Sequence, residues 1–326
     1  MKHKNILTIL ITLTTLWACG GKQEDVVDEA LLARQDSAAL HVAVYPCQSC
    51  LPFYYAEAKG LFKSLDTDIR LIHLSTMEDC DTALTYHRAE VSATDLARLL
   101  CMRKDGYRCT AIATMNNPLS MVTAKGKRIT SVKQLKERLV ATDRHSFTDY
   151  LSDKMLEGTG LEKLDIFRTQ FNIHKLRCDM LNNALVDAAF LDEPFTQYAL
   201  EMGEKQIWKN DSTQQTWNVL AIPTALVNDP TRTAQMEALF KAYDQAVEAI
   251  NKQEDSAIID SLLKYTFELP HAAVDTIPAL KEFHVSPLSP IKEETANMAK
   301  EWLVGRGWIK QSLNTDSLYI NKLFSK

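Results

Sequence analysis

The stretch VAVYPCQSCLPFYYAEAKGLFKSLDTDIRLIHL, from Val42 to Leu74, carries the pattern that decides the fold class. Its apolar residues first alternate as in a strand, then continue through a helix-like segment that ends near Gly60, and alternate again in DIRLIHL. The same order of strand and helix repeats along much of the chain. Because strands joined by a helix normally run parallel, the sequence predicts an α/β fold built on mostly parallel sheets.

The other predicted elements continue this alternation. Strands are predicted at EVSAT, CTAIATM, LVATD, DIFRTQF, VDAAFL and TWNVLAIP, and helices at MEDCDTALTYHR, DLARLLCMR, ITSVKQLKERL, SFTDYLSDKMLEGTGL, HKLRCDMLNNAL and EPFTQYALEMG. From Thr231 onward the pattern is mainly helical. A change of composition at Asn116-Asn117-Pro118 predicts that the chain leaves one lobe there.

The N-terminus has the features of a bacterial lipoprotein signal. Two lysines precede an apolar run, Ile6 to Trp17, which is too short to span a bilayer as a helix. The run closes in LWACG, which resembles a lipobox, so its cysteine, Cys19, is expected to carry lipid and to become the first residue of the mature chain. We predict a signal peptide at 1–18, a flexible polar tether at 19–38, and a location in the cell envelope. The anchor would lie on the periplasmic face of the inner membrane or in the outer membrane.

The charge balance argues against a nucleic-acid partner. The whole chain has 37 basic and 42 acidic residues and a formal net charge of −5. The signal peptide contains two lysines and no acidic residue, so 35 basic residues remain against 42 acidic ones, which gives −7. A mildly acidic chain without a basic cluster is a poor match for nucleic acid.

The motif Cys47-Gln48-Ser49-Cys50 lies at the turn from the first strand to the first helix. A dithiol at such a turn is typical of thiol oxidoreductases, whereas in an open α/β sheet the carboxyl end of a strand is where a ligand is held. We favour a ligand-holding turn that contains a disulfide. The alternative is an envelope lipoprotein that uses Cys47 and Cys50 for redox chemistry or for metal binding, together with His174 and Cys178, which are one helical turn apart.

The remaining cysteines permit further disulfides. Apart from Cys19, the chain has six, and an even number in an oxidising compartment allows up to three disulfides, whose connectivity the sequence does not give. Cys101 and Cys109 flank a short segment and are the most natural pair. The six are Cys47, Cys50, Cys80, Cys101, Cys109 and Cys178.

Three phrases resemble the substrate-binding proteins of ABC importers for sulfonates, nitrate and thiamine precursors. They are PFYYAEAKGLFKSLDTDIRLIHL after the first strand, ITSVKQLKERLVAT in the middle of the chain and, most specifically, ALVDAAFLDEPFTQYALEMG at 184–203. This group has the type II periplasmic-binding-protein fold, in which two α/β lobes joined by a hinge close on a small solute. The family's first ligand loop does not usually carry a Cys-x-x-Cys, so the motif at 47–50 is a departure from the family pattern.

The resemblance implies both the domain organisation and the function. It implies lobe 1 in 39–117, lobe 2 in 118–222, and a return to lobe 1 with C-terminal helices in 223–326. It also implies a monomer without a cofactor that captures a small organic solute, sulfonate-like or thiamine-pyrimidine-precursor-like, and passes it to an ABC permease. The sequence has no Gly-x-Ser-x-Gly, His-Glu-x-x-His or P-loop motif, and no enzymatic activity is predicted.

Two groups of residues after predicted strands suggest the two ends of a solute. Arg144, Ser146 and Phe147 stand at a helix start, where free backbone N–H groups favour an anion, although an ordinary N-cap explains Ser146 equally well. Asp192 and Glu193 either accept hydrogen bonds from a solute N–H group or cap the next helix. Together these residues predict a zwitterionic or nitrogen-containing solute rather than nitrate, which has no donor for buried carboxylates.

The other candidate ligand-binding residues are placed by the expected fold. Thr94 and Asp95 follow a strand, Asn116 and Asn117 lie at the crossover, and aromatic side chains are expected to form apolar walls, a role that competes with packing in the core. The complete candidate set is Cys47, Gln48, Ser49, Phe53, Thr94, Asp95, Asn116, Asn117, Arg144, Ser146, Phe147, Asp192, Glu193 and Trp217.

Overall fold

The computed structural model describes residues 36, 38–210, 216–282 and 284–324. The predicted signal peptide, the lipidation site Cys19 and nearly all of the predicted tether lie outside the described residues. Residues 38–326 group into one unit, which contains two β-sheets with helices packed on them.

The described residues form ten strands. They are β1 (Leu40–Val44), β2 (Ile69–His73), β3 (Val91–Asp95), β4 (Cys109–Thr114), β5 (Ser120–Thr123), β6 (Leu139–Thr142), β7 (Phe167–Gln170), β8 (Ala188–Leu191), β9 (Lys205–Lys209) and β10 (Asn218–Pro223). The short strands β5 and β9 were not predicted from the sequence.

The helices of the described part lie between these strands and after them. They are α1 (Leu51–Lys59), α2 (Leu61–Ser64), α3 (Met77–Thr85), α4 (Leu96–Lys104), α5 (Phe147–Lys154), α6 (His174–Asn182), α7 (Phe195–Glu201), α8 (Pro230–Asn251), α9 (Ser256–Tyr265), α10 (His271–Thr276) and α11 (Glu293–Gly305). None of the helices in these residues has the length and apolar character that crossing a membrane requires.

The two sheets have the same topology. The strand order is β2-β1-β3-β10-β4 in the first sheet and β7-β6-β8-β5-β9 in the second. In the first sheet β1 is parallel to β2 and β3, whereas β10 is antiparallel to β3 and β4, and the second sheet repeats this pattern with β5 as the reversed strand. Four of the five strands in each sheet therefore point the same way, which confirms the predicted α/β fold.

The reversed strands are those that arrive from the other sheet. We call the part built on the first sheet lobe 1 and the part built on the second sheet lobe 2. The chain crosses between β4 and β5, close to the predicted boundary at 117, and again between β9 and β10. Since β10 pairs with β3 and β4, the return to lobe 1 precedes residue 218 rather than following residue 222. The apolar pattern of TWNVLAIP predicts a strand but not the sheet that it joins.

Local signals explain several helix boundaries, and their weakness explains one error. Thr76 accepts the N–H of Asp79 at 3.0 Å at the start of α3, and Gly60, with a φ of 76°, ends α1. The helix predicted at ITSVKQLKERL is instead a 3₁₀ turn over Val132–Leu135. Only Leu135 is buried within it, so little apolar packing stabilises a longer helix.

The C-terminal region contacts both lobes. Ala111 in β4 exchanges two backbone hydrogen bonds of 2.9 Å with Leu318 and Ile320, so the end of the chain lies along the edge of the first sheet. On the other side, the indole N–H of Trp302 in α11 donates to the carboxylate of Asp153 in lobe 2 at 2.9 Å. The helix α11 therefore links the lobes on one side of their junction.

Candidate functional site

Two hydrogen bonds join the lobes at the carboxyl ends of their strands. The carboxylate of Asp95, the last residue of β3, accepts the backbone N–H of Phe147 in lobe 2 at 2.8 Å. In the opposite direction Asp192, which follows β8, accepts the backbone N–H of Gln48 in lobe 1 at 2.9 Å. All four residues are buried, so the lobes touch at the end of the sheets where α/β folds hold their ligands.

Helix starts provide the donors of both contacts. Phe147 is the first residue of α5, and Gln48 begins a 3₁₀ turn, Gln48–Cys50, that leads into α1. The first N–H groups of a helical segment have no partner inside that segment, and here a carboxylate of the opposite lobe supplies it. The second oxygen of Asp95 caps α4 by accepting the N–H of Arg98 at 2.9 Å.

Asp192 also holds a buried histidine. Its second carboxylate oxygen lies 2.8 Å from Nδ1 of His174, the first residue of α6. Burial alone would lower the pKa of His174, but the charge and hydrogen bond of Asp192 outweigh it, and the pKa is raised. Both oxygens of Asp192 are therefore engaged within the protein.

A buried arginine ties together the strand ends of lobe 2. Arg177 donates to the carbonyl of Phe171 at 2.8 Å and to that of Phe190 at 3.0 Å. Its guanidinium also lies 2.7 Å from the carboxylate of Asp143, in the turn after β6. Groups of lobe 2 therefore pair with this cation, and the cation holds the turn that precedes Phe147 in place.

The Asp95 carboxyl has an unusual acidity. Burial raises its pKa to about 7, although the N–H donors of Arg98 and Phe147 and the charge of Arg98 lower it in part. The nearby carboxylate of Asp81 acts in the raising direction. The contact between Asp95 and Phe147 is therefore made by a group that titrates near neutral pH.

Several buried polar atoms at strand ends have no hydrogen-bond partner among the described residues. They belong to residues of both lobes and of the crossovers between them: Oε1 of Gln48, Oδ1 of Asn117, Oγ1 of Thr142 and Nε1 of Trp217. A native interior pairs nearly all such groups. Four such groups lie at strand ends and crossovers, and a polar ligand that reached them would supply the missing partners.

Two cavities open beside the junction of the lobes. The larger, about 420 Å³, lies between α3 and α4 of lobe 1 and the turn after β6, and its wall includes Arg98, Arg144 and His145. The smaller, about 240 Å³, has Tyr54 of lobe 1 and His174 of lobe 2 in its wall. A small organic molecule fits the size of either cavity.

The structure brings most of the predicted site residues to the junction. The residues that form the two interlobe hydrogen bonds, together with their chain neighbours, are Cys47, Gln48, Ser49, Thr94, Asp95, Ser146, Phe147 and Asp192. All eight are buried. Their role in binding a solute stays a prediction.

Other predicted residues have local structural partners. The side-chain amide of Asn116 is 3.1 Å from the hydroxyl of Ser286. Glu193 accepts the N–H of Gln197 at 3.0 Å, which is the capping role that the sequence left open. Arg144 is exposed, lies in the wall of the larger cavity and has no ion pair among the described residues.

Two aromatic residues expected to form cleft walls belong to the core. Phe53 is fully buried and its ring centre lies 4.7 Å from that of Tyr243. Trp217 is also fully buried and stacks on Tyr150 of α5 at 4.2 Å. Packing therefore determines the position of both rings.

Several buried residues at the junction were not among the predicted ligand-binding residues. Arg177 stands in an amphipathic helix together with His174, which the sequence suggested only as a metal ligand, and Asp143 precedes the predicted site residue Arg144. Tyr45 is buried, and its ring centre lies 5.5 Å from that of His174 across the lobe junction in an edge-to-face arrangement. A buried arginine and histidine on a helix that follows a strand are the signals that could have pointed to this cluster.

The cysteines are free thiols throughout the described residues. Among these residues no disulfide is present, and the expected pair Cys101 and Cys109 is not bonded. The thiol of Cys178 is 3.7 Å from the carbonyl of Phe195, whereas His174 is paired with Asp192. Within the described part, no three His, Cys, Asp or Glu side chains gather as ligands for a metal ion.

The sequence matches the model of one protein family. The model of the family described as "NMT1/THI5 like" matches residues 48–256, which is more than half of the chain. The chain belongs to the NMT1/THI5-like family. No curated protein matches the sequence.

Solved structures show the fold of this NMT1/THI5-like protein. It is similar to the periplasmic aliphatic sulphonate binding protein SsuA from Escherichia coli, with a TM-score of 0.69 and 15% identity over 86% of this chain and 90% of that chain. It is also similar to the alkanesulfonate-binding protein SsuA from Xanthomonas axonopodis pv. citri, with a TM-score of 0.70 and 14% identity over 87% and 98% of the two chains. The periplasmic nitrate-binding protein NrtA from Synechocystis PCC 6803 gives a TM-score of 0.70 and 13% identity over 88% and 87%. The NMT1/THI5-like protein thus has the predicted periplasmic-binding-protein fold.

Proposed function

We propose that this protein captures a small organic solute between its two lobes and delivers it to an ABC importer. The observation that carries the proposal is the set of buried polar atoms at strand ends and crossovers without protein partners. Each such atom costs about 1–3 kcal/mol when it stays unpaired, so a solute that pairs with several of them is bound selectively. The family membership and the fold support the same class of function.

The polarity of the junction favours a solute that carries N–H groups. Gln48 donates its side-chain amide to the carbonyl of His284 at 2.8 Å, which fixes its Oε1 as an acceptor with no donor among the described residues. The buried Arg177 and the half-buried Arg98 are already paired with Asp143 and Asp81. A junction that offers acceptors and, among the described residues, no unpaired buried cation suits a thiamine-pyrimidine-precursor-like or amino-sulfonate solute better than nitrate.

An acidic group on the solute could be bound beside Arg144 at the larger cavity. Arg144 lies in the wall of the 420 Å³ cavity next to His145. The sulfonate of an amino-sulfonate placed there faces a solvated arginine, while its ammonium group faces the acceptors of the junction. A pyrimidine precursor uses the junction alone.

Binding is proposed to shift the lobes toward the closed arrangement. A solute that contacts both lobes binds only when they meet, and its differential affinity drives the hinge equilibrium. The cross-lobe bonds of Asp95 and Asp192 add to the same closed state. Small-angle scattering that shows compaction on adding a confirmed solute is the expected result.

The membrane anchor and the permease are part of the proposal. Lipidation of Cys19 would keep the binding protein close to an importer in the envelope. Radiolabelled palmitate should enter the wild-type protein and not a Cys19→Ser variant expressed in the same cells. Equal labelling of the two proteins would contradict lipidation at Cys19.

The alternative of an electron-transferring or metal-binding lipoprotein has less support. Cys47 and Cys50 have no exposed surface, so a partner protein has no direct access to either thiol. His174, the potential third ligand, is already held by Asp192.

A thermal-shift screen tests the proposed function. Nitrate, alkanesulfonates, amino-sulfonates and aminopyrimidines are added to the purified protein, and a solute at ~100 times its dissociation constant stabilises by ~2.7 kcal/mol. We expect shifts with N–H-bearing solutes, and a loss of affinity of about tenfold in Gln48→Leu, which removes a buried hydrogen bond. Shifts with nitrate alone, or unchanged binding in Gln48→Leu, would contradict the proposed solute class.

A further inference from the structure

The Cys47-Gln48-Ser49-Cys50 turn has the geometry of a disulfide loop. The backbone N–H of Cys50 donates to the carbonyl of Cys47 at 3.0 Å. A four-residue turn closed by this bond brings its first and last Cα atoms within about 7 Å, and a disulfide needs about 4.4–6.8 Å. The thiol of Cys47 lies 3.3 Å from the hydroxyl of Ser49 inside the same turn.

The same turn carries one of the two interlobe contacts. The N–H of Gln48, between the two cysteines, donates to Asp192 of lobe 2, and the carbonyl of Ser49 accepts the hydroxyl of Tyr243 at 2.9 Å. Any covalent bond between Cys47 and Cys50 therefore acts directly on the segment that meets the opposite lobe.

We propose that Cys47 and Cys50 form a reversible disulfide that strengthens the Gln48–Asp192 contact and so regulates closure of the lobes. A disulfide across so short a turn removes alternative backbone conformations of Gln48 and Ser49, which leaves the Gln48 N–H oriented toward Asp192. The dithiol form allows the turn to rearrange and the lobes to separate more easily. The consequence for solute capture rests on the proposed function, whereas the disulfide and its effect on the turn do not.

The chemistry requires a disulfide-bearing oxidant of low molecular weight. The thiolate of Cys47 attacks one sulfur of the oxidant and releases the first thiol. The sulfur of Cys50 then attacks Sγ of Cys47 and releases the second thiol. Two electrons pass to the oxidant, and the two protons lost from the cysteines end on the two released thiols.

The environment assigns different roles to the two sulfurs. Burial and the charge of Asp192 oppose ionisation of Cys47, but the effects of Cys50, His174 and the Ser49 hydroxyl, 3.3 Å away, outweigh them, so its pKa is lowered. Burial raises the pKa of Cys50. Cys47 is therefore the attacking thiol and Cys50 the resolving thiol.

Access to the thiols is controlled by the lobes themselves. Cys47 is fully buried, and the N–H of its neighbour Gln48 is bound to Asp192 of lobe 2, so separation of the lobes uncovers this turn. Oxidation then occurs from the open state, and the disulfide that forms favours closing.

Disulfide mapping of the solute-free protein is the first test. After incubation with glutathione disulfide, peptide mass spectrometry under non-reducing conditions should show a Cys47–Cys50 link. Asp192→Ala, which removes the covering contact, should speed its formation. A link from Cys50 to Cys80, whose charge acts on Cys50, would overturn the assignment, as would thiols that stay free in both proteins.

Hydrogen exchange of the turn is the second test. Backbone amides of residues 47–50 should exchange about tenfold more slowly in the oxidised protein than after dithiothreitol. The difference should persist in Cys101→Ser/Cys109→Ser and vanish in Cys47→Ser/Cys50→Ser. The wild-type comparison alone decides the matter if the serine variants do not fold, because equal exchange in the two redox states contradicts the proposal. No solute is used, so a failure of the solute screen leaves this result intact.

Discussion

Asp95 and Asp192 occupy equivalent positions in the two lobes, and each accepts a backbone N–H from the other lobe. Each carboxylate stands at the end of the central strand of its sheet. Each donor, Phe147 or Gln48, begins the helical segment after the neighbouring parallel strand. Each lobe therefore contributes one carboxylate acceptor and one backbone N–H donor to the junction.

Removal of one of these carboxylates should loosen the junction. In Asp192→Ala the N–H of Gln48 and the ring of His174 lose their partner, at a cost of about 1–3 kcal/mol for each buried group left unpaired. We expect a lower urea midpoint and a larger radius of gyration by small-angle scattering. The neighbouring Glu193→Gln, which alters only the cap of α7, should resemble wild type in both measurements. A wild-type radius and midpoint in Asp192→Ala would argue against a role of this contact in holding the lobes.

The stability should depend on pH through Asp95. Its pKa is about 7 in the folded protein, against about 4 in an unfolded chain, so the folded state binds the proton more tightly. The stabilisation that comes from this proton is fully present below about pH 4 and is lost as the pH rises to about 7. Arg98 and Asp81 face the same carboxyl, and their opposing effects are included in that value.

A single substitution isolates this effect. Urea unfolding at pH 5 and pH 8 should show that wild type loses more stability over this interval than Asp95→Asn. His174 also loses stabilisation with rising pH, because its pKa is raised, but it does so in both proteins. Parallel pH profiles of the two proteins would mean that Asp95 does not titrate in this range.

Arg177 should be far more important for stability than Arg144. The Arg177→Met variant loses the hydrogen bonds to Phe171 and Phe190 and leaves Asp143 as an uncompensated buried charge, which costs about 3–5 kcal/mol. Arg144→Met changes an exposed side chain and should stay within about 0.5 kcal/mol of wild type. Chemical denaturation followed by circular dichroism measures both, and equal losses would refute this ranking.

Trp217 should contribute through packing. The Trp217→Ala variant removes a ring stacked on Tyr150 and 5.7 Å from the ring of Trp302, and should cost about 3–5 kcal/mol. Trp208→Ala, at a half-buried position in β9, is the matched control and should cost clearly less. If the two substitutions cost the same, the aromatic cluster is not a special source of stability.

Much of the fold could be predicted from local patterns. The apolar alternation of β1, β2 and β3 and the helices between them follow directly from the sequence, because each element buries one face. The strands β5 and β9 escaped prediction because SMVT and KQIWK show no clear apolar alternation; they are held as strands by pairing with each other and, for β5, with β8. The reversed direction of β10 is also set by pairing, with partners more than a hundred residues earlier in the chain.

The residues at the strand ends of the junction were predictable in position, but the contacts between them were not. Residues after strands could be named because parallel strands end at one edge of a sheet. The partner of Asp192, however, is Gln48, which lies 144 residues away, and no local signal shows such a contact. His174 and Arg177 look like polar residues of a surface helix in the sequence, since burial of a charged side chain depends on partners supplied by other segments.

The backbone pairing of Ala111 with Leu318 and Ile320 covers the outer strand of the first sheet. An uncovered strand edge presents free N–H and C=O groups that recruit strands from other molecules. A chain that stops before residue 317 should therefore self-associate through β4, even though both lobes keep their sheets. The pairing of residues 318–320 thus protects this edge of the first sheet from other copies of the chain.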